Sequence, residues 1–259
     1  MPFTSVTRHQ IEKVFKLNLD PLNSQSDILR LPDISTFPSL PLTEEFIRSL
    51  KFAVKNYGFK TEASRSLVVA EFLKNALIQT NNEHLQVVPQ SRHNCECGGI
   101  EFAGVADYAI SNDDSSSQLI VVAVKARLDE ISAQLQLLAQ AGSLLRQRGV
   151  HHRASPVFAV LANGQFFRFY AIDDRDSTVY SSRAILLDYR ANPDFHSYQD
   201  LIDVVTWFRW FVNVMTSISR RSSPCALSAI DIRSNLAVFR RNFRLGWSML
   251  CIDWIFCLM

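Results

Sequence analysis

The alternation of apolar and polar positions predicts helices and strands in turn. Behind Thr43 and the acids Glu44 and Glu45, Phe46, Leu50 and Ala53/Val54 fall on one side of a helix over Glu44–Asn56. A second helix is expected over Glu62–Thr80. Leu67, Val68, Phe72, Leu73, Ala76 and Leu77 leave little of its surface polar, so it should be largely buried. Residues 81–99 read as irregular, with at most a short strand over 86–88. Strands are expected over 100–110 and 119–126, joined by a polar turn at 111–118. The second is a nearly continuous apolar run, as in a strand buried on both faces. A helix over 129–146 has Leu128, Ile131, Leu135, Leu138, Gly142 and Leu145 as its main stripe. Gln134 falls inside that apolar arc, and Gln136 and Gln140 on the polar side.

Further on, 156–161 and 165–172 read as antiparallel strands about the Asn163-Gly164 turn. An exposed acidic loop at 173–176 and an edge strand within 179–187 follow. A long apolar helix over 198–218 carries Trp207, Phe208, Trp210 and Phe211, expected to pack on the sheet. The whole implies an α/β fold with a mixed central sheet flanked by helices. Residues 1–59 are expected to form an arm and a helix, with the arm packing loosely or wrapping the core. Residues 60–218 should form the main domain, and 219–259 a basic, then apolar tail.

Composition narrows this little. The chain has 259 residues, 47% of them apolar, enough for a substantial core, and a formal charge of +2. Near-neutrality neither demands nor excludes nucleic acid, because a local basic patch suffices. One such cluster is Arg146, Arg148, His151, His152 and Arg153. Five cysteines, with no apolar core in the first residues, point to an intracellular protein of the nucleus or cytoplasm. No apolar run reaches membrane-spanning length. His93, Cys95 and Cys97 cluster, but no second ligand pair at comparable spacing accompanies them, as structural zinc would require.

The candidate chemistry lies on the two central strands. Asp107 sits on the first, sharing a face with Glu101, Ala103 and Val105. Lys125 ends the second, sharing a face with Ala123. A lysine there needs a partner, because burying an unpaired ammonium is costly. Glu71 lies inside the apolar helix, either at its rim beside Lys74 or lining a cleft. An inward Gln134 needs a hydrogen-bond partner or serves as a site ligand.

In order along the chain, Glu71, Asp107, Lys125 and Gln134 make a pattern that resembles the PD-(D/E)XK, or restriction-endonuclease-like, nucleases. The likeness covers roughly residues 60–215 and is nearer to the Crinkler-type and related eukaryotic branch. It implies a restriction-endonuclease-like core and metal-dependent hydrolysis of phosphodiesters, in DNA rather than RNA. It also implies a magnesium ion held by Asp107 and Glu71, with Lys125 positioning the attacking water and Gln134 assisting. The chain departs from the pattern at one place: the Glu of the family's Glu-X-Lys falls on Ala123. Activity is therefore expected to be impaired. The alternative is a catalytically inactive relative that binds nucleic acid or a protein partner. Glu101, six residues from Asp107, lies roughly 20 Å along the strand and is a poor substitute. Asp129 or Glu130, opening the next helix, would supply a migrated acid.

Overall fold

The computed structural model describes residues 1–19, 31, 34, 41–80, 85–112, 118–125, 130–150, 156–174 and 176–220. The fold is mixed α/β. One sheet runs β1 (Leu85–Cys97), β2 (Ile100–Asn112), β3 (Gln118–Val124), β4 (Val157–Ala162), β5 (Phe166–Ile172) and β6 (Val179–Ser181), with β7 (Ile185–Leu186) also on β5. Among the described strands, only β3 and β4 pair in parallel. The helix between them, α4 (Glu130–Val150), is the crossover that a parallel pair requires. The other helices are α1 (Arg8–Lys13), α2 (Glu44–Asn56), α3 (Glu62–Thr80) and α5 (Gln199–Arg220).

Strands β4 and β5 show why the sheet sits between two layers. Phe158, Val160, Ala162, Phe167, Phe169 and Ala171 enter a core with α2, α3 and α5. Val157, Ala159, Leu161, Phe166, Tyr170 and Ile172 enter the opposite core, with α4 and the N-terminal segment. Both faces are apolar because both are covered. The α5 aromatics pack on the sheet as expected. Trp207, Phe208 and Phe211 are buried, and Phe169 stacks on Trp207 with centroids 5.5 Å apart.

The N-terminal segment wraps the second core. Phe3, Ile11 and Phe15 are buried there, and Pro2 bridges Ala103 beside β2. Phe15 and Leu17 lie so close to Gly142 of α4 that an added Cβ would stand 3.1 Å from Phe15. Arg146, expected in a phosphate-binding cluster, instead donates through Nε and Nη2 to the Phe15 carbonyl, at 3.2 and 3.0 Å. Residues 151–153 of that cluster, the side chain of Arg148, and the tail from 221 onward lie outside the described residues.

Three expectations are corrected. The irregular stretch is a 13-residue strand, β1, joined to β2 by Gly98 and Gly99, whose φ angles of 60° and 75° suit a two-residue hairpin turn. Its inward positions, Ser91, His93, Cys95 and Cys97, are buried but not aliphatic, which hides the strand's alternation. The Cys95 and Cys97 Sγ atoms lie 3.4 Å apart, and burial pushes the Cys95 thiol up to about 12. Burial likewise lowers His93 to about 4, so its imidazole is neutral at neutral pH.

Second, Gln136 and Gln140 of α4 are buried. The N-terminal segment and the β1–β2 hairpin cover the helix flank that the sequence marks as polar. Gln140 Nε2 donates to the Val105 carbonyl at 2.9 Å, and Gln147 Nε2 to the Asn94 carbonyl. Third, Asp173 of the acidic loop is buried, its N–H bonded to the Thr178 carbonyl. On α3, Leu67 and Ile78 are exposed, so that helix buries less of its surface than its composition suggests.

Candidate active site

Asp107 sits where β2 loses its partners on both sides. Toward β1 the register passes from Pro89↔Tyr108 to Ser91↔Ala106, and the residue between, Gln90, has φ 50°. Toward β3 the ladder among the described residues ends at Tyr108↔Val122, one step before Ala123 would face Asp107. Side-chain alternation also breaks here: Phe102 and Ala106 enter one core and Ile110 the other. The parting of the strands frees the Val124 N–H, which donates to Asp107 Oδ2 at 2.7 Å. The aspartate side chain thus replaces a ladder bond and is held by it.

Lys125 follows directly. Its N–H donates to the Ala162 carbonyl at the end of β4, and its half-buried side chain lies within electrostatic reach of Asp107. Asp107 is also half-buried. Burial is the largest influence on its carboxyl and raises its pKa above the ordinary 3.8. The Val124 N–H and the Lys125 charge pull it down, and Glu62 pushes it up. Glu62, in the first turn of α3, is therefore an acid within electrostatic reach of Asp107. Tyr108 anchors this end of the helix: it accepts from Ser66 Oγ at 2.9 Å and donates to the Ser66 carbonyl at 3.0 Å. Arg65 Nη1 reaches the Asn163 carbonyl at 3.4 Å, beside the β4–β5 turn.

Glu71 lies elsewhere. Its carboxylate accepts from Ser49 Oγ of α2, in a groove of about 90 Å³ lined also by Lys74, Asn75 and Gln79. Nine residues separate Glu62 from Glu71, about 13.5 Å along a helix. Gln134 is half-buried on the second turn of α4, with no hydrogen bond to a described residue. Of the sequence candidates, Asp107 and Lys125 lie within electrostatic reach of each other, and Glu62 lies within reach of Asp107. Glu62 carries a faint sequence signal, since an acid in a first helical turn is ordinarily read as complementing the helix dipole. Glu101 pairs with Glu96 near the hairpin tip, away from Asp107. Asp129 and the side chain of Glu130 lie outside the described residues.

The raised Asp107 pKa has a testable sign. With the folded value above the unfolded one, the stability this carboxyl contributes is complete below about 3.8 and is lost as pH rises through the folded value. Asp107→Asn keeps an acceptor for the Val124 N–H and removes the buried charge. The variant is expected to be more stable than the parent at neutral pH, with the gap closing in acid. Urea denaturation across pH measures this, and a variant less stable at neutral pH would refute it.

Magnesium commonly takes one or two carboxylates and keeps several waters. Asp107 and Glu62 fit that minimum and no more. Among the described residues no group of three His, Cys, Asp or Glu is placed to hold a metal ion.

No family model matches the chain, and no curated protein matches it. Among solved structures it is similar to the type IIG restriction endonuclease BpuSI, at 19% identity and a TM-score of 0.41. The match covers 62% of this chain and 18% of that one. Among the described residues no helix is long and apolar enough to cross a membrane.

Proposed function

We propose that the chain is a divergent PD-(D/E)XK-type nuclease domain, of the Crinkler-related branch, with metal-dependent DNA hydrolysis weakened by Ala123. The observation that carries this reading is the Asp107 carboxylate, held by the Val124 N–H and within electrostatic reach of both Lys125 and Glu62. Asp107 and Glu62 would hold a magnesium ion, Glu62 standing where the family resemblance had suggested Glu71. Such an ion supplies charge to the phosphate and acidifies a bound water. The Val124 N–H fixes the Asp107 carboxylate in one plane. Lys125 donates to the attacking water or the phosphate oxygen, and its cation offsets charge gathering there. Gln134, which the resemblance assigns to the same water or phosphate, is half-buried on α4 and has no described contact with Asp107 or Lys125.

The test is magnesium-dependent nicking of plasmid DNA. Slow nicking that stops with chelator and in Lys125→Ala supports the reading. Nicking that persists in Lys125→Ala refutes it. The alternative, an inactive relative binding nucleic acid or a protein partner, is favoured by one observation, the alanine at 123. Binding without cleavage, even after a glutamate is restored there, would select it.

A further inference from the structure

From Arg48 to Lys60 the chain carries four basic residues, Arg48, Lys51, Lys55 and Lys60, and no acid. Helical spacing sets Arg48, Lys51, Phe52 and Lys55 along one exposed stripe of α2, because residues three and four apart are neighbours. Two aromatics interrupt this basic surface. Phe52 is 58% exposed and Tyr57, at the end of the helix, 42%. Their rings meet edge to face, with centroids 6.0 Å apart and planes at 85°. Large exposed rings among cations cost solubility and contribute little to the core. Glu44 and Glu45 lie one turn before Arg48, and Lys51 lies over the Phe195 ring and near Asp194, so the positive charge collects toward Lys55 and Lys60.

The stripe is fixed relative to the active site. The turn leaving α2 is pinned by Phe59, which stacks on Tyr189 with centroids 5.7 Å apart and planes at 5°. Tyr189 Oη in turn donates to the Gly164 carbonyl at 2.7 Å. Gly164, at φ 84°, approaches Phe59 so closely that an added Cβ would stand 3.0 Å from its ring. Two residues earlier, the Ala162 carbonyl accepts the Lys125 N–H. Tyr57 is five residues from Glu62, at most about 17 Å along the chain.

We infer that the basic-aromatic face of α2 and its C-terminal turn is a docking surface for single-stranded nucleic acid that leads toward Asp107 and Lys125. The inference rests on the phosphodiester reading of that site and gives its substrate a single-stranded segment beside the scissile bond, which a supercoiled plasmid offers where it opens. Lys55, Lys60 and Arg48 track the phosphates, and bases stack on Phe52 and Tyr57. Stacking needs exposed base faces, which a duplex hides and a single strand offers.

The test uses the full chain in chelator, so that nothing is cut. Fluorescence anisotropy follows a labelled DNA strand of about 16 nucleotides, its RNA counterpart and a hairpin duplex. The parent is expected to bind the strands with an affinity that falls steeply with salt. Phe52→Ala/Tyr57→Ala is expected to weaken single-strand binding at least about tenfold, with less than about a twofold change on the duplex. Lys55→Glu/Lys60→Glu should flatten the salt dependence. Ile78→Ala, as exposed at 57% but on the far part of α3, is the control and should change nothing. Absent binding, an unchanged affinity of the aromatic variant, or an equal loss on the duplex would each overturn the inference. Single-strand binding by the parent that the aromatic variant loses, together with no magnesium-dependent cleavage in any variant, would leave the docking surface standing and remove the catalytic reading. Cleavage that needs Lys125 but ignores Phe52 and Tyr57 would do the reverse.

Discussion

Replacing Ala123 with glutamate is expected to raise magnesium-dependent nicking by at least about tenfold over the parent chain. The backbone at 123 is held by β4, in register with Leu161, so the position is fixed before any side chain is changed. It lies one step past Tyr108↔Val122, the last pair before the strands part beside Asp107. Partners that merely orient a ligand typically change metal affinity 10- to 100-fold, so a restored ligand should do no less. A cost accompanies the gain. A third carboxylate beside Asp107 and Glu62 repels both, and Asp107 is already pushed toward its neutral form by burial. The variant should therefore be less stable than the parent without metal and recover with magnesium, since an ion that binds only the folded state stabilises it. Rates in the nicking assay, with melting temperatures taken with and without magnesium, measure both effects. Equal rates in a correctly folded variant would remove Ala123 from the site.

Phe169→Ala is expected to cost about 3–5 kcal/mol. The ring is fully buried in the middle of β5. It stacks on Trp207 and meets Phe208 and Phe211 edge to face, at 5.2 and 5.5 Å. Removing it empties the seat of α5 on the sheet, and the helix rings are too large to close over the gap in their present rotamers. Marginal stabilities of about 5–15 kcal/mol make this a large share of the total. Urea unfolding should show a lower midpoint with an unchanged slope. A loss below about 1 kcal/mol would mean that α5 is not seated as described.

The parts of the fold built from aliphatic and aromatic side chains were legible in the sequence. Helices α3 and α5 and strands β4 and β5 announce themselves, because burial alone dictates their residues. Strand β1 does not, since its inward positions are a serine, a histidine and two cysteines. The buried flank of α4 does not either. Gln136 and Gln140 look like a solvated face until the N-terminal segment and the hairpin, whose Val105 carbonyl accepts from Gln140, are folded over them. At the site, Asp107 and Lys125 were readable from alternation along two adjacent strands. The acid from the helix was not. Periodicity identifies a helix and its buried face, but not which end abuts a given strand. The Ser66–Tyr108 pair sets α3 against β2 with Glu62 within electrostatic reach of Asp107, while Glu71 lies with Ser49.

Calorimetric titration with magnesium compares the parent, Ala123→Glu, and Ala123→Glu/Asp107→Asn. Weak binding in the parent, tightening at least about tenfold with the glutamate and lost again without the aspartate, is the expected result. Identical isotherms for all three proteins would contradict a divalent-cation site at the parting of β2 and β3.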